Sequence, residues 1–156
     1  MHAEILGTHV IGAKRLPREP NSKKILLIED DDRLAANLTT LLTRDGHEVA
    51  RLINGLELRE HLERIRPDVV LLDLMLSWVD RYALCRSIKG SPRYADLPVF
   101  IISARVGDDD VARGRDAGCD EYFRKPIDLS GLSSRIAALE SRGEPAPSLD
   151  TNRARG

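Results

Sequence analysis

Cysteine is scarce in this chain, with Cys85 and Cys119 the two among 156 residues. They show neither metal-ligand spacing nor the even framework of a disulfide scaffold. Such a pair fits a reducing compartment, and small buried hydrophobes are the plain reading of both. Surplus basic charge is missing too: 24 Lys and Arg stand against 25 Asp and Glu, for a net charge of −1 and a pI near 6.4. A nucleic-acid-binding domain should carry a basic face and a high pI, so nucleic acid is not expected among the partners. No apolar run approaches the roughly 18 residues of a membrane span. Residues 1–20 lack a basic start, and Glu4 and His9 interrupt their apolar stretch, so they do not read as a signal peptide. No membrane partner is expected, and the cytoplasm is the expected location. His2, His9, His47 and His61 form no cluster, and no internal repeat or low-complexity tract is present.

What the chain does have is a set of short apolar runs, each ended by polar residues. Ile25-Leu26-Leu27-Ile28 leads into Glu29 and Asp30, and Val69-Val70-Leu71-Leu72 into Asp73. Val99-Phe100-Ile101-Ile102 leads into Ser103, and Tyr122-Phe123 is followed shortly by Lys125. Runs of this kind suit strands buried on both faces of a parallel sheet. Ligands of open α/β sheets collect beyond the carboxyl ends of the strands. Acids, a hydroxyl and an ammonium are costly to bury unless they serve each other or a ligand.

Between the runs, apolar residues recur at helical spacing. Leu34, Leu38, Leu41 and Leu42 predict a helix over about 32–44, closed by Gly46. A second helix carries Leu58, Leu62 and Ile65, with Asn54 as its expected cap and Arg66-Pro67 as its stop. A third, about 81–89, should bury Leu84, Cys85 and Ile88. A fourth, about 108–117, has few apolar residues and should be the least firmly held; Gly118 closes it. A fifth, about 129–139, carries Leu129, Leu132, Ile136 and Leu139 behind the cap Asp128. The expected strands are 24–29, 47–52, 68–73, 97–103 and 120–124, with the alternating second strand at an edge. Five alternating strands and helices imply right-handed crossovers and a doubly wound, flavodoxin-like α/β sheet of order 2-1-3-4-5. The expected organisation is a flexible extension over 1–22, one domain over 23–140 and a disordered tail over 141–156.

That order brings Glu29, Asp30 and Asp73 into one crevice. Three carboxylates there would raise one another's pKa, and a divalent cation would remove the conflict. Oxygen ligands completed by water suit Mg²⁺. Ser103 and Lys125, from the next two strand ends, can offer a hydroxyl and a positive charge to a phosphoryl group. These are the parts needed to form an aspartyl phosphate.

With those residues in place, the chain resembles the receiver domain of two-component response regulators. The likeness is carried by Ile25 to Asp31, Val69 to Leu76, Ile101 to Ala104 and Gly118 to Pro126, and it runs from about Lys23 to Glu140. Ser103 follows Asp73 by 30 positions, and Tyr122 and Lys125 follow Ser103 by 19 and 22. The resemblance implies that Asp73 accepts the phosphoryl group. It implies that Asp30 holds Mg²⁺ directly, Glu29 through water and Met75 through its backbone carbonyl. Ser103 and Lys125 would contact phosphoryl oxygens, Tyr122 would be the aromatic switch, and Lys125-Pro126 would be a cis peptide. Asp31 and Asp32 read instead as charges at a helix N-terminus. The implied donor is a histidine kinase or histidine phosphotransfer protein, the downstream partner is unknown, and the chain is a switch rather than an enzyme.

The chain departs from the family after Asp73. Ser77 and Arg81 stand where a proline and a glycine are usual, and the single tryptophan, Trp78, lies between them. Trp78 would either pack inward or anchor a partner. Met75 and Arg105 flank the expected path of the hydrolytic water, and neither can act as a base, so slow hydrolysis is expected. Glu121 and Arg135 carry the right charges for a symmetric pair across a homodimer built on the fourth helix, fifth strand and fifth helix. Arg33, Asn37 and Thr40 would either select a donor or form a plain solvated face.

Rival readings differ at named residues. A flavin-mononucleotide carrier of the same topology needs a phosphate cradle in the first loop, where Glu29 to Asp32 would repel phosphate. A haloacid-dehalogenase-type phosphatase would place its nucleophile after the first strand, and Asp30-Asp31-Asp32 matches that motif weakly. A phosphorylation-independent interaction module would not keep all five site residues. A relay intermediate that passes the phosphoryl group onward stays open.

Overall fold

The computed structural model of the protein describes residues 21–55, 57–73, 80–104 and 107–140. The expected tail, most of the expected extension, and the expectations for Met75, Trp78 and Arg105 lie outside these. Among the described residues the elements are β1 (Lys24–Ile28), α1 (Asp32–Arg44), β2 (Glu48–Leu52), α2 (Leu58–Ile65), β3 (Val69–Asp73), α3 (Arg81–Lys89), β4 (Val99–Ser103), α4 (Asp108–Asp116), β5 (Glu121–Arg124) and α5 (Leu129–Ala137). The strands form one sheet in the order β2-β1-β3-β4-β5, parallel throughout. No described helix is long and apolar enough to cross a membrane.

Strand alternation divides the core into two layers. Ile25, Leu27, Val69, Leu71, Phe100 and Ile102 face α1 and α5, where they meet Leu38, Leu42, Leu132 and Ile136. Leu26, Ile28, Val70, Leu72, Val99 and Ile101 face the other way, onto Leu58 and Leu62 of α2 and Tyr82, Cys85 and Ile88 of α3. Residues facing both layers explain why β1, β3 and β4 are unbroken apolar runs. β2 has one neighbour and is mostly half-buried or exposed, as the alternation predicted.

Several ends are set by side chains. Asp31 caps α1 by accepting from Leu34 N at 3.0 Å, and Asp128 caps α5 by accepting from Gly131 N at 3.1 Å. Gly46 (φ +95°) and Gly118 (φ +99°) take the left-handed backbone that closes α1 and α4. Asp68 and Asp120, expected to open their strands, stand just before the observed ones, and their carboxylates serve neighbouring strands. Asp68 accepts from Lys24 N at 2.7 Å and Asp120 from Val99 N at 2.8 Å. His47 is buried for a similar reason, its Nδ1 accepting from Lys23 N at 3.0 Å. Lys23 is buried too and donates from Nζ to the Ala137 carbonyl at the end of α5, where a cation is favourable.

The structure corrects some local expectations. Asn54 does not cap α2. That helix starts at Leu58 behind Glu57, without a side-chain cap, from a turn in which Leu58 N donates to the Gly55 carbonyl. On α3 the fully buried stripe is Tyr82, Cys85 and Ile88, and Leu84 is half-buried beside it. Ser22, assigned by sequence to the extension, is buried and donates to the Gly46 carbonyl. α5 ends at Ala137, and Leu139 N turns back to the Ile136 carbonyl.

Candidate functional site

The register fixes what meets at the strand ends. Ile28 pairs with Leu72, so Glu29 and Asp73 follow side by side on adjacent strands, about 4.8 Å apart. Asp73 pairs with Ile102, which puts Ser103 one step further along β4. Ser103 pairs with Arg124, and its carbonyl accepts from Lys125 N at 2.9 Å. That bond holds Lys125 just past β5, ahead of a cis peptide to Pro126. From there its ammonium reaches Asp73 Oδ2 at 3.0 Å. Asp73 is 2% exposed, and Glu29 and Ser103 are fully buried. Asp30 is half-buried beside Glu29.

Glu29 carries the electrostatic strain of this arrangement. Burial, and then its hydrogen bond and charge contact with Asp73, push its carboxyl up to about 8, against a partial opposing pull from the Asp31 N–H and Lys125. Oε2 accepts from Asp31 N at 3.1 Å, whereas Oε1 is buried without a hydrogen-bond partner. Two buried carboxyls therefore share one ammonium.

That orphaned oxygen tests whether a metal fits. Among the described residues no three His, Cys, Asp or Glu side chains form a group able to hold a metal on their own. Mg²⁺ does not require one, because it is commonly held by one or two carboxylates with water completing an octahedron. The Glu29–Asp73 pair with Asp30 alongside supplies hard oxygen donors, one of them buried without a hydrogen-bond partner, so the residues fit the ion. Asp31 and Asp32 are otherwise engaged, as expected. Asp31 caps α1, and its carboxyl is held below the usual range chiefly by the Leu34 N–H. Asp32 pairs with Arg51 at 2.9 Å.

Two contributors carried no sequence signal. Arg51, on β2, donates from Nε to the Glu29 carbonyl at 2.9 Å while Nη1 holds Asp32, so it clips the loop between β1 and α1. Tyr82, in the first turn of α3, meets Tyr122 across the sheet face. Tyr122 is half-buried, with its ring against Gly114 of α4. Glu121 and Arg135, whose charges suit a pair across a homodimer, form an ion pair within the chain.

Comparison with known proteins agrees with this fold. Residues 25–137 match the response regulator receiver domain model. The chain is 41% identical over 120 residues to the transcriptional regulatory protein AfsQ1 of Streptomyces coelicolor, covering 77% of this chain and 52% of the relative. It is 32% identical over 124 residues to the DNA-binding dual master transcriptional regulator RpaA of Synechocystis, covering 80% and 52%. The crystal structure of the signal receiver domain of a DNA-binding response regulator from Colwellia psychrerythraea 34H superposes with a TM-score of 0.68 at 32% identity, covering 72% of this chain and 94% of that one. The chain belongs to the response regulator receiver family of two-component systems.

The chain spans about half the length of the curated relatives it matches. Those relatives are transcriptional regulators, one of them named as DNA-binding, and this overturns the expectation that excluded nucleic acid from the partners. The charge argument reached only this chain, which matches about half of each relative.

Proposed function

We propose that this receiver takes a phosphoryl group from a phosphohistidine donor onto Asp73, in a Mg²⁺-dependent step, and works as a switch rather than an enzyme. The observation that carries the reading is the Lys125 ammonium 3.0 Å from buried Asp73, with Glu29 in the same pocket. An Asp73 carboxylate oxygen would form the new P–O bond as the P–N bond of the donor breaks and the imidazole leaves with the electron pair. Lys125 is positioned to neutralise phosphoryl oxygens, and the Ser103 hydroxyl is the second expected contact. Glu29, Asp30, Asp73 and the Met75 carbonyl are the proposed holders of Mg²⁺, which supplies charge neutralisation during transfer. Tyr122 is the proposed switch residue. To be decisive, phosphorylation must favour the active state by roughly 5 kcal/mol. The relatives' names support a transcriptional output, and the free thiols Cys85 and Cys119 support a cytoplasmic location.

The test is intact-mass analysis after incubation with acetyl phosphate and Mg²⁺, beside Asp73→Asn. The expected result is a labile gain of one phosphoryl group in the parent alone, decaying over many minutes because Met75 and Arg105 offer the water no base. An equal gain in Asp73→Asn would refute the acceptor assignment. A half-life of seconds without a phosphatase would refute the slow-hydrolysis reading.

A further inference from the structure

Three elements meet on two phenols behind the site. Tyr82 is 5% exposed, and its hydroxyl donates to the Asp110 carbonyl in the first turn of α4 at 3.2 Å. A carbonyl has two lone pairs, so this bond is compatible with the helical bond of Asp110. Tyr82 also lies close to Tyr122 of β5, which packs against the same core layer. One turn along α4, the Arg113 guanidinium lies 4.3 Å from the Tyr82 ring centroid. Next to it is Gly114, where a Cβ would stand 3.1 and 3.2 Å from Cδ2 and Cε2 of Tyr122. The Tyr122 ring thus rests on bare backbone, and Gly114 is the one buried residue of α4. A helix with so little apolar surface depends on such ties.

We infer that Tyr82 is a positioning residue for the switch: its hydroxyl clamps the first turn of α4 to α3 and so keeps Gly114 under the Tyr122 ring, which couples movement of Tyr122 to the hold on α4. This rests on the reading of Tyr122 as the switch residue. Removing the clamp favours the state with Tyr122 displaced. If phosphorylation favours the same state, linkage requires a phosphoryl-like ligand to bind the unclamped protein more tightly.

The test uses Tyr82→Phe, which keeps the ring and its stacking on Arg113 but deletes the hydroxyl. Gly114→Ala is the second variant, pressing on Tyr122 from the α4 side. Amide hydrogen exchange is read in the unphosphorylated protein, and beryllofluoride with Mg²⁺ serves as the phosphoryl-like ligand. Loss of one hydrogen bond should speed exchange across residues 108–116 by roughly three- to tenfold, with the β1, β3 and β4 amides unchanged. Both variants should bind beryllofluoride more tightly by a similar factor. Unchanged α4 exchange in Tyr82→Phe would overturn the clamp. Faster exchange with unchanged or weaker beryllofluoride binding would overturn the link to the switch. A parent protein that binds no beryllofluoride would count against the phosphoacceptor reading instead, and α4 exchange alone would then decide the clamp.

Discussion

Replacing Glu29 by glutamine should change how the stability of this protein depends on pH. In the fold the Glu29 carboxyl is pushed from an ordinary 4.5 up to about 8 by burial and by Asp73. The folded protein therefore keeps a proton that the unfolded chain releases. The stability from this group is fully present below pH 4.5 and is lost as pH rises through about 8. The distance between those values corresponds to about 5 kcal/mol once the group is fully ionised, a large share of the roughly 5–15 kcal/mol that holds an ordinary domain together. Glutamine is neutral throughout and can still accept from Asp31 N, so Glu29→Gln should abolish this part of the slope. Urea unfolding from pH 5 to 9 in the presence of a chelator is the assay, with the variant-minus-parent difference cancelling the other titrating groups. The two proteins should lie within about 1 kcal/mol of each other at pH 5, and the variant should lead by several kcal/mol at pH 9. Saturating Mg²⁺ should narrow that lead, because a ligand at about 100 times its Kd stabilises the fold by about 2.7 kcal/mol. A difference that stays flat from pH 5 to 9 would refute the buried-carboxyl argument. Equal Mg²⁺ binding by both proteins would remove Glu29 from the metal site.

Burial pushes the Cys85 thiol up to about 12 and the Cys119 thiol up to about 11, so at pH 8 the reactive thiolate should be present at roughly one part in a thousand or less. Native protein should resist iodoacetamide at that pH and react fully in urea, and rapid native labelling would contradict the raised thiols of buried Cys85 and half-buried Cys119. Leu132→Ala removes a fully buried side chain between α5 and the sheet and should cost about 2–5 kcal/mol in urea unfolding; a loss below about 1 kcal/mol would show that α5 contributes little to the core.

The composition of the chain determined most of its architecture. The runs ending at Ile28, Leu72 and Ile102 are apolar on both faces, which suits a covered parallel sheet, and the spacing of Leu34, Leu38 and Leu42 defines α1 without tertiary help. Glu29, Asp73, Ser103 and Lys125 were legible for a related reason: each follows an apolar run, and a polar residue there needs a partner. Local pattern could not say which residue meets which across the sheet. Leu84 and Tyr82 both sit near the inner side of α3, and the way the helix rests on the sheet decided that Tyr82 is buried. Charge alone made Glu121 and Arg135 candidates for a pair, and only the folded chain shows that the two meet within it. Arg51 belongs to a strand that looks ordinary, and only the β1–β2 register brings it to the Glu29 carbonyl. Periodicity is a property of neighbours in the chain and can be read from sequence. The raised Glu29 carboxyl, the Lys125–Asp73 contact and the Tyr82–Tyr122 meeting depend on distances between strands and helices remote in sequence, and only the folded sheet sets those distances.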